Sequence, residues 1–139
     1  MQTKQDKRYF LLTFIFVGIC FFSNAQGDTA VFDSGEVHPL YSTFALGRDA
    51  EWACRLFVLE MKDENEEGIG NMLHIEHIAP ALLNSPIKII AKVKSTRNNE
   101  IICTFEVYCG QRLIARGEQG QKILPKNKIE KLINDLQIQ

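Results

Sequence analysis

The sequence predicts an α+β domain in which a long central helix is wrapped by an antiparallel sheet and followed by a short C-terminal helix. Three observations predict it. Between Thr43 and Met61, Leu46, Ala50, Ala53, Cys54, Phe57 and Val58 recur at helical spacing. From Ile69 to Gly117 the apolar period falls to two, with turn residues at short intervals. Pro125 then opens a last helical segment that gathers Ile129, Leu132, Ile133 and Leu136 on one side.

The chain has 139 residues, 45% hydrophobic and 24% charged, with a formal net charge of -1. That is too apolar for a disordered tail, and the length suits one domain with its own core. The near-zero charge excludes the basic footprint of a nucleic-acid partner.

The N-terminus differs from the rest. Lys4, Lys7 and Arg8 precede an uncharged run from Tyr9 to Phe22, and Ser23 and Ala25 supply a small-x-small end. This is the pattern of a signal peptide, with cleavage after Ala25. It predicts residues 1–25 as the signal-like segment, residues 26–139 as the domain, and an exported, periplasmic location. The run is short for a membrane span. An uncleaved anchor, or a first strand packed into the fold of a cytoplasmic or membrane-tethered protein, are the alternatives.

Ala30, Val31 and Phe32 form a short apolar patch among Gly27, Gly35 and Pro39, predicting a short strand and a loop. Ser42 or Thr43 is a natural N-cap for the long helix. The acidic stretch Lys62–Gly68 ends it. On the next strand, Leu73, Ile75 and His77 share one face, with Met72, His74 and Glu76 on the other. Ile87, Ile89, Ala91 and Val93 face inward opposite Lys88, Lys92 and Lys94. Ser95–Glu100 makes a polar turn, and Ile101, Cys103, Phe105 and Val107 continue the inward face. Gly110 and Gln111 turn the chain into a further strand from Arg112.

Three side chains fit a pure core poorly. Thr43, Gly47 and Glu51 are spaced four apart and share one helix face. Gly47 costs helix stability and marks a close approach. Glu51 lies beside the apolar stripe; an ion pair with Arg48 or Arg55 is the alternative to a chemical role. His77 points toward the helix, as a hydrogen-bonded core histidine or as a catalyst. His74 and His77 face opposite sides of a strand, so they do not share a metal ion. The Lys88, Lys92, Lys94 and Arg97 stripe reads as a solvated face. Cys54, Cys103 and Cys109 read as free thiols.

Tyr41-Ser42-Thr43, Ala50-Glu51-Trp52-Ala53-Cys54, Gly68-Ile69-Gly70 and His77-Ile78-Ala79-Pro80 follow in the order and spacing of one family. The chain resembles the fluoroacetyl-CoA thioesterase type of hotdog-fold protein over roughly residues 30–122. The resemblance implies a hotdog domain, a homodimer and hydrolysis of a small acyl-CoA or other acyl thioester. Coenzyme A would enter as part of the substrate, with no separate cofactor, no metal and no nucleic acid. Carried over residue by residue, the catalytic set falls on Thr43, Glu51 and His77, and the substrate contacts on Gly70 and Gln121. The family has a basic residue late in its last strand where this chain has Gln121, so the fluoroacetyl group itself is not implied. The first strand is eroded, or replaced by the signal-like segment. If the protein is exported, the competing expectation is a non-catalytic hotdog domain that binds an acyl or other small hydrophobic ligand.

Overall fold

The computed structural model describes residues 18–23, 31–32 and 35–138. The start of the apolar run and the Ala25 cleavage position lie outside them. Among the described residues nine elements follow in order: β1 (Ile19–Ser23), β2 (Val31–Phe32), β3 (Gly35–Glu36), α1 (Thr43–Met61), β4 (Glu66–His77), β5 (Ile87–Arg97), β6 (Glu100–Cys109), β7 (Arg112–Pro125) and α2 (Lys126–Gln137). Five strands form one antiparallel sheet in the order β1-β5-β6-β7-β4, and β2 and β3 make a small separate hairpin.

Helix α1 has the bounds its periodicity predicts. The Ser42 hydroxyl accepts from the Ala45 N–H, satisfying one of the unpaired donors of the first turn. Ala45, Leu46, Ala50, Ala53, Cys54, Phe57 and Val58 are buried on the sheet-facing side. They meet Ile87, Ile89, Ala91, Ile101, Cys103, Phe105 and Val107, all at most 1% exposed. Each large aliphatic side chain buried this way contributes about 1.5–3 kcal/mol, so the period-two faces of β5 and β6 anchor the helix.

Gly47 is the close approach its position predicts. A Cβ there would stand 3.2 Å from Leu73 and 3.4 Å from Ile75, so the helix lies tightly on β4 at this turn. A register shift between Gly70 and Met72 places one extra residue, Asn71, in β4. The bulge lets Gly68 and Gly70, and then Leu73 and Ile75, all face inward.

Several boundaries differ from the expectation. Gly68 lies inside β4, because the chain turns back at Asp63–Glu66 and pairs with β7 from Glu66 onward. The predicted Ser95–Glu100 turn tightens to Asn98–Asn99, with Asn98 in the left-handed region at φ 56. Helix α2 forms, but its apolar side stays open: Leu132 is 53% exposed and Leu136 62%.

At the other edge, Ile19–Ser23 pairs with Ile87–Ala91 of β5. The end of the signal-like run therefore occupies the place of a first strand. Its Ser23 hydroxyl donates to Asp49 Oδ2 at 2.9 Å, and the Tyr41 hydroxyl donates to the same oxygen at 2.7 Å. Asp49 is only 7% exposed, so these donors, with Arg48 Nε at 3.2 Å, hold a buried carboxylate.

Burial, and then the bond to Asp49, push the Tyr41 phenol above its usual range. Above about pH 10 the unfolded chain gives up this proton while the folded chain keeps it. The resulting stability is complete below about pH 10 and falls as pH rises, by up to about 1.4 kcal/mol per pH unit. Denaturant midpoints at about pH 9 and about pH 11, on either side of the free phenol's range, measure the loss, and Tyr41→Phe flattens it.

Candidate active site

Helix α1 carries Thr43 in its first turn and Glu51 two turns later, about 12 Å further along the axis. Both border an open groove of about 870 Å³ between α1 and β4, with Phe44, Trp52, Leu73 and Ile75 as its apolar walls. The groove runs where Gly47 brings helix and strand together. Arg55, which borders the same groove, is bonded to β4: its Nη2 donates to Glu67 Oε1 at 2.8 Å and its Nη1 to the Gly68 carbonyl at 3.4 Å. Glu51 forms no hydrogen bond or ion pair among the described residues, so its carboxylate is left to the groove.

Gly70 lies directly behind Glu51. A Cβ at this position would sit 2.6 Å from Glu51 Oε1. The missing side chain is what lets the carboxylate rest against β4. Gly70→Ala would therefore push only the flexible end of Glu51 aside. It is expected to lower turnover about tenfold or more while shifting Tm by less than about 4 °C. Steady-state kinetics beside a thermal melt checks both halves.

His77 ends β4 and is exposed. It borders a second groove, of about 460 Å³, with His38, Ser42, Thr43 and Pro80. Thr43 borders both grooves, so it joins the Glu51 side to the His77 side. His74 lies on the outer sheet face beside Glu76, Lys92 and Glu118. The two histidines of the His74–His77 cluster therefore look onto different grooves. Of the basic stripe, Lys94 pairs with Glu118, and Arg116 of β7 pairs with Glu76.

Gln121 does not border either groove. It is 1% exposed on the inner face of β7, and its Nε2 donates to Gln119 Oε1 at 3.2 Å. Cys54 is no nucleophile: a hydrogen bond to Cys103, and then burial, hold its thiol protonated.

Sequence reasoning missed three features. His38 lies in a loop with no periodic signal. The Gln119–Gln121 pair leaves only a trace, as alternate polar residues on an otherwise apolar strand face. Asp49 is one more charge on a helix in the sequence, and its partners from β1 and Tyr41 are what single it out.

A long helix wrapped by a five-stranded antiparallel sheet is the hotdog architecture. Residues 25–127 match the fluoroacetyl-CoA-specific thioesterase family, and the chain belongs to it. Its structure is similar to that of a Thermus thermophilus thioesterase superfamily member, with TM-score 0.79 and 31% identity over 86% of this chain and 90% of that one. It is also similar in fold to a mutant of the fluoroacetyl-CoA-specific thioesterase FlK in complex with fluoroacetate and CoA. There the TM-score is 0.78 at 14% identity, over 84% of this chain and 97% of that one. A hot-dog-like protein from Thermanaerovibrio acidaminovorans gives TM-score 0.67 at 16% identity, over 89% and 95%. No curated protein sequence matches the chain. The reaction class that follows from the family is hydrolysis of a thioester.

Proposed function

We propose that the protein hydrolyses a small acyl-CoA, with Glu51, Thr43 and His77 as the catalytic set. The observation that carries this reading is the Glu51 carboxylate, free of Arg55, seated over Gly70 and facing an apolar groove. An apolar groove accepts an acyl group, and a carboxylate beside it is a base for water. In the reaction, a C–O bond forms between water and the thioester carbonyl carbon and the C–S bond breaks. The water proton passes to Glu51 and from there to the leaving thiolate. Thr43, at the junction of the grooves, orients the carbonyl or the water. His77 approaches from the second groove, where an imidazole stabilises charge on the carbonyl oxygen or donates a proton.

The rim of the groove supports a homodimer as the working state. Phe44 is 72% exposed and Trp52 45%, and a second copy would cover both. The pairing of β1 supports a folded protein that keeps Ile19–Ser23, within reach of cytoplasmic acyl-CoA. Export with cleavage after Ala25 is the opposing outcome, and with it a non-catalytic acyl-binding role. Thiol release from a series of acyl-CoA substrates, with Glu51→Gln as the control, tests the enzyme reading.

A further inference from the structure

One buried polar atom has no partner among the described residues: Gln121 Oε1. Leaving a buried acceptor unpaired forfeits its hydration with nothing in return, so the oxygen calls for a donor. Its orientation is set by a chain of bonds. The Gly120 carbonyl can only accept, so the Gln119 amide turns its Nε2 toward it, at 3.1 Å. That leaves Gln119 Oε1 to accept from Gln121 Nε2, and Gln121 must then present its oxygen at the far end.

The far end lies over Gly68, two residues along β4 from the glycine that backs the Glu51 carboxylate. Gln121 Oε1 stands 2.9 Å from where Gly68 would carry a Cβ, and Glu51 Oε1 stands 2.6 Å from the same point on Gly70. Gly68 and Gly70 are alternate residues of β4 on its inner face, about 6.6 Å apart along the strand. Two acceptors over neighbouring glycines lie on the scale that one water spans, about 5.6 Å across two hydrogen bonds. Arg55 Nη1 stands 3.6 Å from the same Gly68 point, but it donates to the Gly68 carbonyl, and its Nη2 donates to Glu67.

We infer that Gln121 is a positioning residue for hydrolysis: its Oε1 and the Glu51 carboxylate together hold the attacking water. The inference rests on the proposed role of Glu51. A water that donates one hydrogen to each oxygen has its lone pairs turned away from both, toward the groove. The proton transferred during attack is the one already bonded to Glu51. The other stays on the water oxygen, hydrogen-bonded to Gln121, so the amide orients and exchanges no proton. The residue here is neutral, so it adds no charge to the buried side of the carboxylate.

The test uses the full chain and the acyl-CoA that wild type hydrolyses fastest. Gln121→Met keeps the volume and removes the acceptor. Its kcat is expected to fall about tenfold to a hundredfold, with KM within about twofold and Tm within about 4 °C. Hydroxylamine, an external nucleophile that does not depend on the held water, is expected to shrink that defect. Unchanged kcat overturns the inference, as does a rise in KM alone or a defect that hydroxylamine leaves intact. Glu51→Gln is measured in parallel: if it retains wild-type kcat, the catalytic reading itself fails, whereas a dead Glu51→Gln beside a fully active Gln121→Met sinks only the water site. Should Gln121→Met not fold, a high-resolution wild-type crystal structure decides. A water within about 3.2 Å of both Gln121 Oε1 and a Glu51 oxygen is expected. Gln121 Oε1 bonded instead to Arg55, or to nothing, overturns the inference.

Discussion

Glu51→Gln is expected to lower kcat for acyl-CoA hydrolysis by about a thousandfold and to leave the protein folded. The size follows from the chemistry: a positioned general base contributes roughly 10²–10⁴ in rate, and a thousandfold is about 4 kcal/mol of barrier. The amide keeps the shape of the carboxylate over Gly70 but cannot take a proton. Stability is expected to hold because Glu51 makes no ion pair or hydrogen bond among the described residues that the change would break. Kinetics together with a thermal melt separates the two effects. Wild-type kcat in the variant would remove Glu51 from the mechanism; a collapsed melt would mean that the residue supports the fold instead.

Removal of residues 1–25 is expected to destabilise the domain by about 3 kcal/mol, or about 10 °C in Tm. Deletion takes away β1, with the partly buried Ile19 and Phe21 that pack on the core. It opens the ladder of β5 from Ile87 to Ala91 and removes the Ser23 donor from the buried Asp49 carboxylate. An open edge also invites pairing with other chains, so the truncated protein is expected to aggregate sooner on heating. Melts of the two forms measure the loss, and intact mass from the protein's own cells shows which form exists. A truncated protein as stable as the full chain would show that β1 is dispensable to the fold, as cleavage after Ala25 requires.

The fold is legible in the sequence where one side of an element is buried. The helical stripe of α1 and the alternation in β5 and β6 come directly from which residues face water, and periodicity records that. Turn chemistry is readable at Gly110, whose positive φ needs glycine. The β1 segment is harder. Ile19–Ser23 ends an uncharged run behind a basic start, which fits a signal-peptide pattern better than a strand, yet the segment pairs with β5 as an edge strand. Gly68 shows the same limit: a glycine after an acidic stretch resembles a stop, yet here it makes room for Val58 and Gln121 inside a strand.

The candidate site is legible in part. Thr43, Gly47 and Glu51 stand out because their spacing puts them on one helix face beside an apolar stripe, and the structure opens that face onto a groove. His77 falls on the expected strand, but it borders a neighbouring groove that shares Thr43 with the Glu51 groove. Gly70 carries its meaning only in three dimensions, as the absence of a Cβ behind a carboxylate. Gln121 reads in the sequence as a replacement at a substrate-contacting position; the structure buries it, with its oxygen over Gly68.

The most direct test of hydrolysis at Glu51 is the rate of coenzyme A thiol release by the purified full-length protein across a series of short acyl-CoA substrates. Saturable release with at least one of them, lost in Glu51→Gln, is expected. Saturable binding of the same compounds with no thiol released by the wild-type protein would contradict it.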